Sequence, residues 1–264
     1  MNDFIVSDSV LLEYKGTEES VEITDGIKAI AQNAFKDNKH IKSVKIGESV
    51  SELGENAFEN CTNLESVIFE GDIIRLPWCC FKGCESLKSV ILPSLLRRVG
   101  DMCFSECKAL EEIQLPDSIT KIDFNAFSFS GLKRVKLPES LTTIHTGAFS
   151  FCDNLSYIKL GSGSDWENRN IRKWSWAFDR ELLPIIALDN LSRNSTLARE
   201  IVREPTIATE SLIKRGRIDL LDKLLDYAGK RITPTELDFM LKRAQDLNSN
   251  EATKILLEYK NNLK

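Results

Sequence analysis

Ala57-Phe58-Glu59-Asn60-Cys61-Thr62-Asn63-Leu64-Glu65-Ser66-Val67 is one copy of a pattern that recurs along more than half of this chain. Its Phe is the clearest marker. The series runs Phe35, Phe58, Phe81, Phe104, Phe127 and Phe149, with spacings of 23, 23, 23, 23 and 22 residues. Other columns keep the same step. Ile41, Leu64, Leu87, Leu110, Leu132 and Leu155 form one, and Val44, Val67, Val90, Ile113, Val135 and Ile158 the next. Two residues further come Ile46, Phe69, Leu92, Leu115, Leu137 and Leu160. A unit this short has too few apolar side chains for a core of its own, so it must bury them against its neighbours.

The columns translate into geometry. The Val-x-Leu alternation turns two side chains inward from a short strand, and stacked units bring these strands side by side in parallel. Gly47, Pro93, Pro116, Pro138 and Gly161 follow the strand and end it, because Pro has no N–H to give a ladder. The column before each Phe holds Ala34, Ala57, Cys80, Cys103, Ala126 and Ala148, small residues suited to a tight helical turn on the far side of the coil. The expected fold is an α/β repeat solenoid of 23-residue units with short parallel strands.

Composition agrees with a folded, water-soluble chain. Of 264 residues, 42% are hydrophobic and 28% charged. The formal charge of −5 lacks the basic concentration of nucleic-acid binders. The apolar run Leu182–Leu188 is too short to span a bilayer, so no membrane insertion is expected. Met1-Asn2-Asp3-Phe4-Ile5-Val6 does not read as a secretory signal. The expectation is therefore a cytoplasmic protein, or an extracellular one if a leader has been removed.

The repeat resembles the BspA-like branch of the leucine-rich-repeat family. The residues that carry the likeness are Ala57–Val67 and Leu110-Glu111-Glu112-Ile113-Gln114-Leu115-Pro116-Asp117-Ser118-Ile119. Asp8–Gly16 followed by Val21–Ile27 looks like the family's capping hairpin. The likeness extends over about residues 4–161. It implies a right-handed solenoid that binds proteins or surfaces; many relatives are exported adhesins, from which the missing signal departs.

Seven cysteines raise the question of chemistry. Cys61, Cys84, Cys107 and Cys152 each fall three residues after a marker Phe, Cys80 and Cys103 stand in the Ala column, and Cys79 lies outside the ladder. One reading is a metal site built from Cys80-x-x-x-Cys84 and Cys103-x-x-x-Cys107. The other, which the recurrence favours, is that small thiols fill small inward slots. His40 and His145 fall at outward positions, and neither is placed beside a recurring carboxylate or a unique Ser or Cys, so neither a triad nor a metal cluster is proposed. No Gly-rich phosphate loop is present. The chain is expected to be no enzyme and to need no cofactor.

With Val and Leu inward, the alternate side chains form the outer, concave face. One row is Ser43, Ser66, Ser89, Glu112, Arg134 and Tyr157, the other Lys45, Ile68, Ile91, Gln114, Lys136 and Lys159. Ile68 and Ile91 have no core role on this face and make an apolar patch. Arg134, Lys136, Tyr157 and Lys159 make a basic corner with one aromatic. The candidate binding residues are thus Ile68, Ile91, Glu112, Gln114, Arg134, Lys136, Tyr157 and Lys159. A solvated face with ordinary variation is the alternative.

After Gly161 the period fails. Trp166, Trp174, Trp176 and Phe178 follow and are read as a cap over the last rung. From about residue 189 the pattern turns helical: Leu197, Ile201 and Val202 form one stripe, and Ile218, Leu220, Leu221, Leu224 and Leu225 another. Thr233-Pro234-Thr235-Glu236 is a helix start. Leu224-Leu225-Asp226-Tyr227 echoes Leu256-Leu257-Glu258-Tyr259 at an offset of 32 residues, which resembles a degenerate ankyrin pair. Such a tail docks a partner, extends the cap or dimerises. Residues 188–264 carry 14 basic and 12 acidic side chains, too even a balance to attract membrane or nucleic acid.

The expected organisation is a capping hairpin over 1–29, six repeats over 30–161, an aromatic-rich cap over 162–188 and a small all-α tail over 189–264. The expected function is a non-catalytic scaffold for an unidentified protein partner. A surface adhesin and a repeat-bearing enzyme are the alternatives, and the sequence leaves the oligomeric state open.

Overall fold

The computed structural model describes residues 3–24, 26–161, 177–178, 182–190, 204–229 and 232–263. Trp166, Trp174 and Trp176 of the expected cap, and Leu197, Ile201 and Val202 of the first expected helical stripe, lie outside the described residues. The chain divides into two compact units, one holding residues 1–154 with 176–178, the other residues 155–175 with 179–264.

The first unit is a parallel β-solenoid with two ladders. An antiparallel hairpin of β1 (Phe4–Ser7) and β2 (Val10–Tyr14) opens it. Its two-residue turn, Asp8-Ser9, has φ of 49° and 63°, the paired positive values that match strand twist in tight hairpins. The main ladder contains β3 (Ser20–Ile23), β5 (Ser43–Ile46), β7 (Ser66–Phe69), β9 (Ser89–Ile91), β11 (Glu112–Ile113) and β13 (Arg134–Leu137). The second ladder contains β2, then β4 (Ala29–Ile30), β6 (Glu52–Leu53), β8 (Arg75–Leu76), β10 (Arg98–Val99), β12 (Lys121–Ile122) and β14 (Thr143–Ile144). The capping hairpin thus lies at 4–14. The 10–16 and 21–27 stretches do not pair with each other; β2 and β3 each head a separate ladder.

Register puts equivalent residues side by side. Val21, Val44, Val67 and Val90 are partners across β3, β5, β7 and β9. Each marker Phe is fully shielded, and its ring stacks on the next: Phe35 on Phe58 at 4.7 Å between centroids, Phe81 on Phe104 and Phe104 on Phe127 at 5.4 Å. Tyr14 extends the column at the N-terminal end, 5.1 Å from Phe35. At the other end Phe178 stacks on Phe149 at 5.1 Å, while Phe149 N–H donates to Ala177 O at 2.8 Å.

Both ladders are interrupted once. In the second ladder, Gly54, Gly100, Asp123 and His145 give their N–H to the rung before at 2.7–3.0 Å. Pro77 stands in that column without an N–H, and β6 and β8 belong to separate sheets. The main ladder is interrupted between β9 and β11, beside Pro93 and Pro116. There the inward residues Val90, Leu92 and Leu115 are only half-buried, whereas Val67, Ile113 and Leu137 are buried.

The second unit begins with β15 (Tyr157–Leu160). Its described helices are α1 (Leu183–Asn190), α2 (Pro205–Lys214), α3 (Leu221–Ala228), α4 (Pro234–Asp246) and α5 (Asn250–Asn262), with a 3-10 turn at Ile218–Leu220. Thr233 and Glu236 form a reciprocal capping box at the start of α4. Helix α2 packs on α4, α3 on α5, and α4 on α5. The 32-residue echo falls on α3 and α5, whose Leu224 and Leu256 are buried. Glu210 on α2 holds Arg243 on α4 through two bonds of 2.7 and 2.8 Å, which together with Lys214 draw its pKa down to about 2.

The edge of β15 is covered by side chains of the same unit. Asn190, at the end of α1, donates from its amide to Ile158 O at 2.7 Å and accepts from Leu160 N–H at 2.9 Å. Its amide therefore takes the place of one residue of a further strand. Arg217 donates to Ser156 O at 2.9 Å and Arg215 to Leu155 O at 3.3 Å. A sheet edge otherwise presents unpaired N–H and C=O groups.

Candidate binding surface

The cysteines are part of the core. The thiols of Cys61, Cys84, Cys107 and Cys152 donate to the carbonyls of Phe35, Phe58, Phe81 and Phe127 at 3.1–3.2 Å. The same contact recurs in successive rungs, which explains why a small side chain with a weak donor suits the slot. Of the two other rungs, Asn38 holds that slot in the first and Ser130 in the fifth, where it sits 3.3 Å from Cys152 Sγ. Cys79, outside the repeat pattern, is buried as well.

Burial pushes the thiol pKa of Cys61 up to about 12 and of Cys79 up to about 11, and raises those of Cys80, Cys84, Cys103 and Cys107. Thiolate is the reactive form. A thiol-exchange reagent at about pH 8 is therefore expected to leave these six cysteines unmodified in the folded protein and to modify them all in denaturant. Rapid native labelling of any of them, located by peptide mass, would contradict the packing.

The two histidines differ. His40 is exposed. His145, contrary to expectation, has a carboxylate beside it: Asp123 Oδ1 lies 3.7 Å from its Nε2. Asp123 is almost fully buried, bonds the Arg98 guanidinium and pairs with Lys121 at 3.0 Å. Phe124 covers the His145 ring at 4.4 Å. A carboxylate already held by two cations is a structural anchor, and this cluster carries no nucleophile.

The outer face of the main ladder changes character along the first unit. At its N-terminal end Lys45 is paired with Glu22 at 2.9 Å and with Glu70 at 3.2 Å, so its charges are satisfied within the face. Ile68 follows in register with Lys45, and Ile91 with Ile68. These two are 38% and 58% exposed, a large apolar area for a sheet face in water. The ladder interruption lies next to them, and there the inward-facing Val90, Leu92 and Leu115 are half-buried. Glu112 is in register with Arg134. Gln114 and Lys136 are exposed, and Lys136 has no ion-pair partner among the described residues. In the second unit, Tyr157 is half-buried and Lys159 exposed, both on β15.

Parallel ladders of 23-residue rungs, stacked on one Phe column, define a leucine-rich-repeat solenoid. The chain belongs to the BspA type leucine-rich repeat family, whose model matches residues 11–97 and 76–176 in six copies. No curated protein matches it. Among solved structures it is similar to the leucine-rich-repeat protein of T. pallidum, with 26% identity and a TM-score of 0.55 over 64% of this chain and 89% of that one. It is also similar to a leucine-rich-repeat protein from Eubacterium ventriosum, at 21% identity and a TM-score of 0.50 over 60% of this chain and 48% of that one. The pneumococcal vaccine antigen PcpA matches at 18% identity and a TM-score of 0.50, over 62% of this chain and 50% of the antigen. The chain therefore spans about half the length of the last two. No helix among the described residues is long and apolar enough to cross a membrane.

Proposed function

We propose that this chain is a non-catalytic interaction module that docks another polypeptide on the outer face of its main ladder. The observation that carries the reading is the apolar area around Ile68 and Ile91, set between the satisfied charges at Lys45 and the polar stretch from Glu112 to Lys136. An apolar centre with a polar rim is the common layout of protein interfaces. The partner chemistry that fits is a mixed segment whose apolar side chains meet the two isoleucines and whose acidic groups meet Arg134 and Lys136. Tyr157 and Lys159 on β15 belong to the proposal as a separate contact in the second unit.

Capture of proteins from the source lysate tests it. Joint replacement Ile68→Asp and Ile91→Asp is expected to cost at least about 2 kcal/mol, or roughly thirtyfold in affinity. Lys136→Glu and Lys159→Glu together should weaken capture as well, with the loss growing at low salt. Capture unchanged in both variants rules this face out.

A further inference from the structure

The Pro77 interruption of the second ladder coincides with a cavity of about 90 Å³, lined among others by Glu55, Arg75, Pro77, Trp78, Arg98 and Asp101. Its charges fall into two groups. Arg98 is already bonded to Asp123, and Asp101 accepts the Phe124 N–H at 2.9 Å. The side chains of Glu55 and Arg75 are exposed and have neither an ion-pair nor a hydrogen-bond partner among the described residues. Trp78, 42% exposed, lines the same notch. An unpaired base, an unpaired acid and an open indole thus share one notch, made where Pro77 prevents the rungs from closing.

We infer that this notch binds a free α-amino acid. The carboxylate meets the Arg75 guanidinium, the ammonium meets Glu55, and an apolar side chain lies against Trp78. Size and charge lead to the same class. At about 90 Å³ the cavity is well below the ~300 Å³ and more of sites that enclose a drug-sized ligand, so it suits a small head group. A lone carboxylate would face Glu55 and Asp101, and a lone amine would face Arg75 and Arg98. Only a molecule bearing both charges meets a partner at each end, and that is how such a site rejects the simpler ions.

The test is NMR titration of the full chain, following the Trp78 indole N–H signal assigned through Trp78→Phe. The probes are L-leucine, 4-methylpentanoate with the carboxylate alone, and 3-methylbutylamine with the ammonium alone. Leucine is expected to shift the signal saturably below about 20 mM, and each single-charge analogue to bind at least roughly tenfold more weakly. Arg75→Ala and Glu55→Gln, both at exposed positions, should each weaken leucine roughly tenfold while the far-ultraviolet dichroism stays unchanged. No saturable shift with leucine, an equal response to all three probes, or full leucine binding in both variants would overturn the assignment.

Discussion

Replacing Phe104 by alanine is expected to destabilise the first unit by about 3–5 kcal/mol, a large fraction of the stability of an ordinary domain. Phe104 has no exposed surface and lies between two parallel rings, each with its centroid 5.4 Å away, at 9° to Phe81 and 6° to Phe127. Its removal takes away the burial of one large side chain and leaves a void against both neighbours. Backbone bonds hold the void open: Phe81 N–H to Cys103 O at 2.9 Å and Phe104 N–H to Ala126 O at 2.7 Å fix the rung spacing on this side of the coil. Stability in a stacked array is a sum over units and their interfaces, so loss at a middle rung weakens two interfaces at once. The measurement is a shift of the denaturant midpoint at unchanged slope. A cost below about 1 kcal/mol would mean that the column is not packed as described. By contrast, Phe129→Ser, at an exposed position, should cost little.

In the second unit, Arg217→Ala is expected to cost about 3–5 kcal/mol. The guanidinium forms two bonds to Asp189, at 2.6 and 3.0 Å, and two to Asp219, both at 2.9 Å, besides the bond to Ser156 O. Arg217 and Asp189 have side chains only 13% and 17% exposed. Truncation leaves the Asp189 carboxylate with its counter-charge removed and the Ser156 carbonyl without its donor, and both penalties fall in a poorly hydrated place. Asp219 is the internal comparison. Its side chain is 61% exposed, so Asp219→Asn should cost less than about 1 kcal/mol because water takes over the lost contact. Thermal unfolding of the two variants, followed at Tyr227 or Tyr259, gives the ratio. Equal losses would place the strength of the network at the exposed pair instead.

The rungs were legible because burial in a solenoid follows the repeat alone. A side chain that recurs every 23 residues meets its own copies, so Phe58, Leu64 and Val67 declare their neighbours without any knowledge of the fold. The same logic held for Cys61, Cys84 and Cys107, whose shared slot pointed to packing; the carbonyl that each thiol bonds was not visible from composition. The pairing of His145 with Asp123 was missed although both occupy the column of Gly54, Pro77 and Gly100. Aligning the outward columns as strictly as the inward ones would have found it. Pro77 could have been noticed in the same way, since every other residue in that column gives an N–H to the ladder.

Other features depend on geometry that no period encodes. The main-ladder interruption falls between β9 and β11, two rungs whose sequences, Ser89-Val90-Ile91-Leu92-Pro93 and Glu112-Ile113-Gln114-Leu115-Pro116, look like the rest. Asn190 covers β15 through a side chain 30 residues from Leu160, on a helix that begins at Leu183. The exposure of Ile68 and Ile91 was readable from strand alternation; the half-open Val90, Leu92 and Leu115 beside them were not.

The proposed docking site for a partner polypeptide is the outer face of the main ladder. Hydrogen exchange of the chain, free and saturated with the captured partner, tests it most directly. Slowed exchange is expected to be confined to the main-ladder strands at Ser66–Phe69, Ser89–Leu92, Glu112–Gln114 and Arg134–Lys136, and to be largest at Ser89–Leu92 and Glu112–Gln114, which flank the break between β9 and β11. Slowed exchange limited to the rows of buried turns around Phe58, Phe81 and Phe104, with the Ile68 and Ile91 strands unchanged, would contradict it.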